Sequence, residues 1–150
     1  MTRQHERETG GTGPGHRSIS MSRSGTGTYV VTNARGGTIS IGSGESDDFT
    51  PVELFLTAIA GCSAVDVDFI TSRLAEPTAF TVTAGGDKLR DEHGNHMGPI
   101  EVSFRVRFPD GEAGERARER LPRAIDQSHD RLCTVSRSVQ LGTPIHMRED

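Results

Sequence analysis

The chain has no tryptophan, one tyrosine and six phenylalanines, so it offers little aromatic surface on which bases could stack. Its 17 Lys and Arg are outnumbered by 21 Asp and Glu, for a net charge of −4, and the basic residues are scattered. That balance argues against a nucleic-acid partner. No run of about 20 consecutive apolar residues is present, and the first residues, MTRQHERETGGTGPGHR, lack the apolar core of a signal peptide. A cytoplasmic protein with no membrane partner is expected. There are only two cysteines, Cys62 and Cys133, and their separation of 71 residues excludes a CxxC redox pair and zinc-ribbon spacing. In a reducing compartment both should rest as thiols, and only tertiary structure can bring them together.

What is present fits one folded domain: 150 residues, 32% apolar, with 18 glycines. The first 28 or so hold six glycines and almost no large apolar side chain, too little to offset the entropy of ordering. A flexible arm is therefore expected over 1–27 and a single domain over 28–150. Thr28 to Thr32 (TYVVT) and Thr38 to Ile41 (TISI) are β-prone, and the Asn and Gly between them predict a hairpin.

Thr50-Pro51-Val52-Glu53 then opens a helix by three signals: an N-cap Thr, Pro at the first helical position, and a Glu placed to close a capping box. From Val52 to Val67 the run VELFLTAIAGCSAVDV is apolar around nearly its whole circumference for three turns, unlike a surface helix. Such a helix needs cover on every side, which a chain this poor in other large apolar residues obtains most simply from a second copy. A homodimer burying the helix is expected.

Ala79 to Gly85 (AFTVTAG) and Ile100 to Phe108 (IEVSFRVRF) alternate with period two, as half-buried antiparallel strands joined by a polar loop. Beyond Pro109-Asp110-Gly111, apolar and small residues from Ala113 to Leu132 recur at three and four, the spacing of an amphipathic helix that Pro122 should kink or divide. Cys133 ends this helix or opens a last short turn, and Thr143 to Met147 (TPIHM) is expected as a closing strand. The order predicts an α+β fold without βαβ periodicity.

Chemistry centres on the thiols. Cys62 reads either as a small apolar filler of the helix or as a nucleophile. Burial and Asp66 four residues on would both raise its pKa, so a reactive Cys62 requires a cation from elsewhere. A thiol pKa well below about 8.5 would favour catalysis, and one above it a structural role. Cys133 has a more polar setting, with His129 a turn before it and Arg131 and Arg137 nearby.

The segments TPVELFLTAIAGCSAVDV and HDRLCTVSRSV resemble the two signatures of the OsmC/Ohr family: a Cys in a long helix opened by Pro and Glu, and a second Cys with His four before it and Ser two or three after. The resemblance extends over about residues 25 to 148. It implies an OsmC-like α+β fold, antiparallel sheets around a long buried central helix, in an intertwined homodimer. It further implies a thiol peroxidase that reduces organic hydroperoxides in oxidative stress defence. On that reading Cys62 attacks, Cys133 resolves, and an external dithiol, of lipoyl type for instance, re-reduces the pair, with no bound cofactor. The activating arginine of the family matches Arg23 in Arg23-Ser24-Gly25, with Arg35 before Gly36 as the alternative. The family's catalytic Glu corresponds to Glu53, one position later than usual, with Val52 in its place; nine residues from Cys62, it lies about 13 Å along the helix from it. Glu53 thus acts either on a partner's site or only as a cap. Thr134 stands where peroxidase branches have Pro. The alternative function is a non-catalytic protein that binds a small apolar ligand at the dimer interface.

Other clusters rank lower. His93 and His96 in a Gly-rich loop offer two imidazoles, short of a metal set. Cys62, His129 and Cys133 could supply three zinc ligands, but no carboxylate is clearly placed to complete them, and no metal is expected. The arginines from Arg116 to Arg123 alternate with glutamates, as on a solvated helix face.

Overall fold

The computed structural model describes residues 13–150. It is a mixed α+β fold with antiparallel sheets and three α-helices. A single domain is expected over 28–150; within the described residues the chain forms two compact units, one ending at Leu54 and one running Phe55–Asp150. The division has a simple cause: the N-terminal strands pair only with one another.

In the first unit, β1 (Ile19–Gly25), β2 (Thr28–Asn33) and β3 (Thr38–Ile41) form a three-stranded meander. The expected hairpin is there, and Asn33 makes its turn: the side-chain oxygen accepts from the backbone N–H groups of Arg35 (3.0 Å) and Gly37 (2.9 Å). Strand β1 corrects the flexible arm expected over 1–27. It pairs with β2 from Ile19 opposite Asn33 to Gly25 opposite Thr28. Six of its seven residues are exposed, so it carries no core side chain for composition to reveal, and its order rests on backbone pairing. Gly27, at φ 72°, makes the β1–β2 turn possible. The rest of that expectation, residues 1–12, lies outside the described residues.

Helix α1 (Pro51–Thr71) begins as the sequence requires. The Thr50 N–H donates to Glu53 Oε1 at 3.0 Å and the Glu53 N–H donates to Thr50 Oγ1 at 3.3 Å, a complete capping box. Within the chain its buried residues are Ile59, Ser63, Val67 and Thr71, a stripe repeating every four residues, while Val65 and Phe69 are about half exposed. The helix has 21 residues, and its most apolar window has mean hydropathy 1.6 with only 22% buried. Length and mean hydropathy match those of a membrane span, as they do in the core helices of globular proteins, while Glu53, Asp66 and Asp68 break the apolar run. An apolar face of this size requires cover.

In the second unit β4 (Ala79–Gly85) and β7 (Glu101–Arg107) pair antiparallel from Ala79–Arg107 to Gly85–Glu101, with every second residue turned inward. The polar loop between them contains a second hairpin that the sequence did not announce, β5 (Lys88–Asp91) with β6 (Gly94–Met97). Both strands are almost wholly exposed, so no hydrophobic period marks them. Val106 and Phe108 pack with Ala117 of helix α2 (Glu112–Gln127) into a small core flanked by Phe80, Phe104 and Leu121. Phe80 and Phe104 meet edge to face at 6.4 Å. Pro122 does not divide α2, which runs through it and continues into a π-helical turn, Ser128–Leu132. Gly114 lets the start of α2 lie against the Pro109 carbonyl, into which any Cβ would run. Helix α3 (Thr134–Leu141) follows, ended by Gly142 in the left-handed conformation. The closing strand expected over Thr143 to Met147 is not formed: the segment has no regular structure, and Ile145 and Met147 are exposed.

Candidate functional site

The two cysteines, so far apart in sequence, meet in the second unit. Cys62 sits in the middle of α1, and Cys133 sits between the π-helical turn and α3. Their sulfurs and a carboxylate oxygen of Asp66 all lie within 4.8 Å of one another. Asp66 is on the same face of α1 as Cys62 because it is one turn further on. Both thiols are free.

Cys133 is completely buried. It is the N-cap residue of α3, with extended backbone at φ −72° and ψ 101°, and its sulfur takes the part usually played by a hydroxyl or carboxylate. The Ser136 N–H donates to Sγ at 3.4 Å, and the thiol donates to Ser136 Oγ at 3.3 Å. Burial, the largest single influence, works against ionising Cys133. It is outweighed by the Ser136 hydroxyl and N–H together with contacts to Cys62 and Ser63, which pull the thiol below its ordinary value.

Cys62 is half-buried and tends the other way. Burial pushes its thiol up, the Val135 backbone N–H pulls against this, and Cys133 and Asp66 push it up further. Only the Val135 amide favours the anion among these influences. Asp66 is itself fixed: the buried Ser128 hydroxyl, 1% exposed, donates to Oδ2 at 2.9 Å. One hydrogen bond thus ties the π-helical turn, which leads directly into Cys133, to the helix that carries Cys62.

Beside the thiols opens a cavity of about 620 Å³. Its walls are apolar, including Phe55, Ile59, Pro99, Ile100 and Val139, with His129, Ser136 and Gln140 as polar points. Ser136 both lines the cavity and bonds Cys133, so a single residue stands between the cavity and the buried thiol. A ligand there would meet hydrocarbon along its length and the Ser136 hydroxyl on the side of the thiols.

Arg23 and Glu53, the other candidate residues, belong to the first unit, and each has a local partner. Arg23 Nη2 donates to Thr26 Oγ1 at 3.0 Å. Glu53 closes the capping box, and its carboxyl is held below the ordinary value by the Thr50 backbone N–H and hydroxyl. Arg35 lies in the β2–β3 turn, where its N–H caps Asn33. His129 bonds Asp130 at 2.8 Å through an exposed side chain and lines the cavity. The acidic group that joins the two sulfurs is Asp66, which sequence reasoning treated only as an unfavourable charge. The helical spacing places Ser128 on the inward face, but its tie to Asp66 was missed, and no local signal marks a contact across 62 residues.

The family model described as "OsmC-like protein" matches residues 43–148. An uncharacterized protein of Mycobacterium tuberculosis is 30% identical over 129 residues, covering 85% of this chain and 91% of the relative. Among solved structures, an OsmC-like protein of unknown function from Vibrio cholerae superposes with a TM-score of 0.70 at 14% identity, over 85% of this chain and 95% of that one. The organic hydroperoxide resistance protein OhrB of Bacillus subtilis superposes with a TM-score of 0.54 at 17% identity, over 83% of this chain and 90% of that one. At these identities the two structures establish the fold.

Proposed function

The chain belongs to the OsmC-like protein family, and from that premise we propose that it is a thiol peroxidase that reduces organic hydroperoxides in oxidative stress defence. The observation that carries the reading is the meeting of two free thiols, one of them bonded to Ser136, which lines an apolar cavity. The name of the Bacillus subtilis neighbour points to the same substrate class.

In the proposed cycle the Cys62 thiolate attacks the outer peroxide oxygen. The O–O bond breaks, the alkoxide leaves with a proton as alcohol, and Cys62 becomes a sulfenic acid. Cys133 then attacks that sulfur, water leaves, and a disulfide forms. An external dithiol, for which a lipoyl group is the candidate, reduces the disulfide by exchange. Sulfurs within 4.8 Å need only a short approach to the bonding distance of about 2.05 Å. The raised Cys62 thiol makes a cation at the sulfur necessary, and Arg23, with Arg35 as the alternative, is assigned to supply it. The working form is a homodimer in the cytoplasm, and the partly uncovered apolar surface of α1 supports the dimer.

The test is peroxide consumption with tert-butyl hydroperoxide and hydrogen peroxide in parallel, dihydrolipoamide as reductant, on wild type, Cys62→Ser and Cys133→Ser. The organic peroxide should turn over rapidly, and Cys62→Ser should reduce this to background. Turnover no faster than that of Cys62→Ser would overturn the reading. A second reading would then take its place, a dimeric protein binding a small apolar ligand, favoured by the cavity and by the raised Cys62 thiol.

A further inference from the structure

We propose that Cys62, Cys133 and Asp66 form a binding site for a soft divalent cation, Zn²⁺ above all, and that loading it arrests the dithiol chemistry. Three donors of the types zinc prefers, two sulfurs and one carboxylate oxygen, converge within 4.8 Å from α1 and the start of α3. In a tetrahedral zinc site with Zn–S near 2.3 Å, neighbouring donors stand about 3.5 to 4 Å apart, so a small contraction suffices. The support behind the donors is also present. The Ser128 hydroxyl donates to Asp66 Oδ2 at 2.9 Å, which orients the carboxylate, as the supporting bonds of a metal ligand do. Three protein donors leave a fourth position for water, the pattern of an open rather than a closed structural site.

Charge explains why the three groups tolerate one another. Fully ionised, two thiolates and a carboxylate would carry three negative charges in a half-buried space, and a divalent ion cancels two of them. Binding converts two thiols into two thiolates and releases two protons, with no change in oxidation state, because zinc has no redox chemistry of its own. With both sulfurs on the ion, neither is free to attack a peroxide or to join the other in a disulfide. Metal binding stands without the peroxidase reading, and only its effect on turnover rests on that reading.

The experiment uses the full-length reduced chain, freed of metal with a chelator, then titrated with ZnCl₂ against a chromophoric competitor and separately with CoCl₂. One ion per chain is expected, with sulfur-to-cobalt charge-transfer absorption. Cys62→Ser and Cys133→Ser should weaken binding about 100-fold or more, and Asp66→Asn and Ser128→Ala about 10-fold. Absence of the charge-transfer band would overturn the site. Equal affinity in wild type, Cys62→Ser and Asp66→Asn would do the same and would move the ion elsewhere, for instance to the imidazoles of His93 and His96. Should a variant fail to fold, wild type alone decides: Zn²⁺ must protect both cysteines from iodoacetamide, and alkylation at the metal-free rate would refute the proposal. For the arrest, one equivalent of Zn²⁺ should stop hydroperoxide turnover and chelation restore it. Undiminished turnover of the loaded protein would overturn the arrest. Intact binding in a protein inert to hydroperoxide would uphold the site and refute the peroxidase reading.

Discussion

The start of helix α1 and its interior are built on opposite principles. At its start, Thr50 and Glu53 bond each other across three residues, and every partner is local. Further along, Cys62 and Asp66 find their partners 62 to 71 residues away, in the π-helical turn and at the cap of α3. The first arrangement gives the helix a fixed beginning. The second gives two sulfurs a fixed distance, and it holds only while the whole second unit is folded around it. A local device therefore stabilises an element, whereas a non-local one assembles a reactive group from elements already made.

The sharpest way to break the contrast is at Ser128. Its buried hydroxyl donates a direct hydrogen bond from the π-helical turn to the α1 carboxylate. Removing a hydrogen bond to a charged acceptor costs about 1.5 to 3 kcal/mol. Ser128→Ala should lower the urea midpoint accordingly with an unchanged m-value. An unaltered midpoint would show that the cluster is held by packing alone.

Ser136 tests the asymmetry of the two thiols. Its hydroxyl and N–H are the chief influences lowering Cys133, and Ser136→Ala keeps the N–H but removes the hydroxyl. The Cys133 thiol should move upward, so its iodoacetamide alkylation near neutral pH should slow several-fold relative to wild type, read residue by residue by mass spectrometry. The pH at which Cys133 reaches half-maximal alkylation should rise with it. If only Cys62 slowed, the assignment of the more readily ionised sulfur would be reversed.

The same division explains what the sequence reveals. Hairpin β2–β3, the start of α1 and the β4–β7 pair are written in short-range signals: Asn33 and two glycines, the Thr-Pro-x-Glu run, and period-two alternation. Strand β1 and the β5–β6 hairpin are almost wholly exposed and carry no apolar period, so they escaped. Pro122 was expected to kink or divide α2; it does not divide the helix, whose turns on either side are held by Ala117 and Ala124, both fully buried. At the site, the two cysteines were legible as chemistry and through the family resemblance. Asp66 was visible only as a charge four residues from a thiol. Its role as a third donor depends on where Cys133 arrives, which one chain read in order does not contain. Ser128 is a buried serine in a run that resembles any polar helix end.

The smallest effect belongs to the local end. The Glu53 carboxyl is held below its ordinary value first by the Thr50 backbone N–H and then by its hydroxyl, so the folded chain binds this proton less readily than the unfolded one. The stability it contributes is therefore complete above the unfolded carboxylate pKa, about 4.3, and is lost as the pH falls from there through the lower folded value. Glu53→Gln retains a side chain that can close the box but has no proton to take up. Its melting temperature should stay close to that of wild type at pH 7. Below about pH 4.3 the wild type should fall faster than the variant, and the other carboxylates cancel in the difference. Melting curves that remain parallel down to pH 3 would mean that the capping bond survives protonation and that charge contributes nothing to this end of the helix.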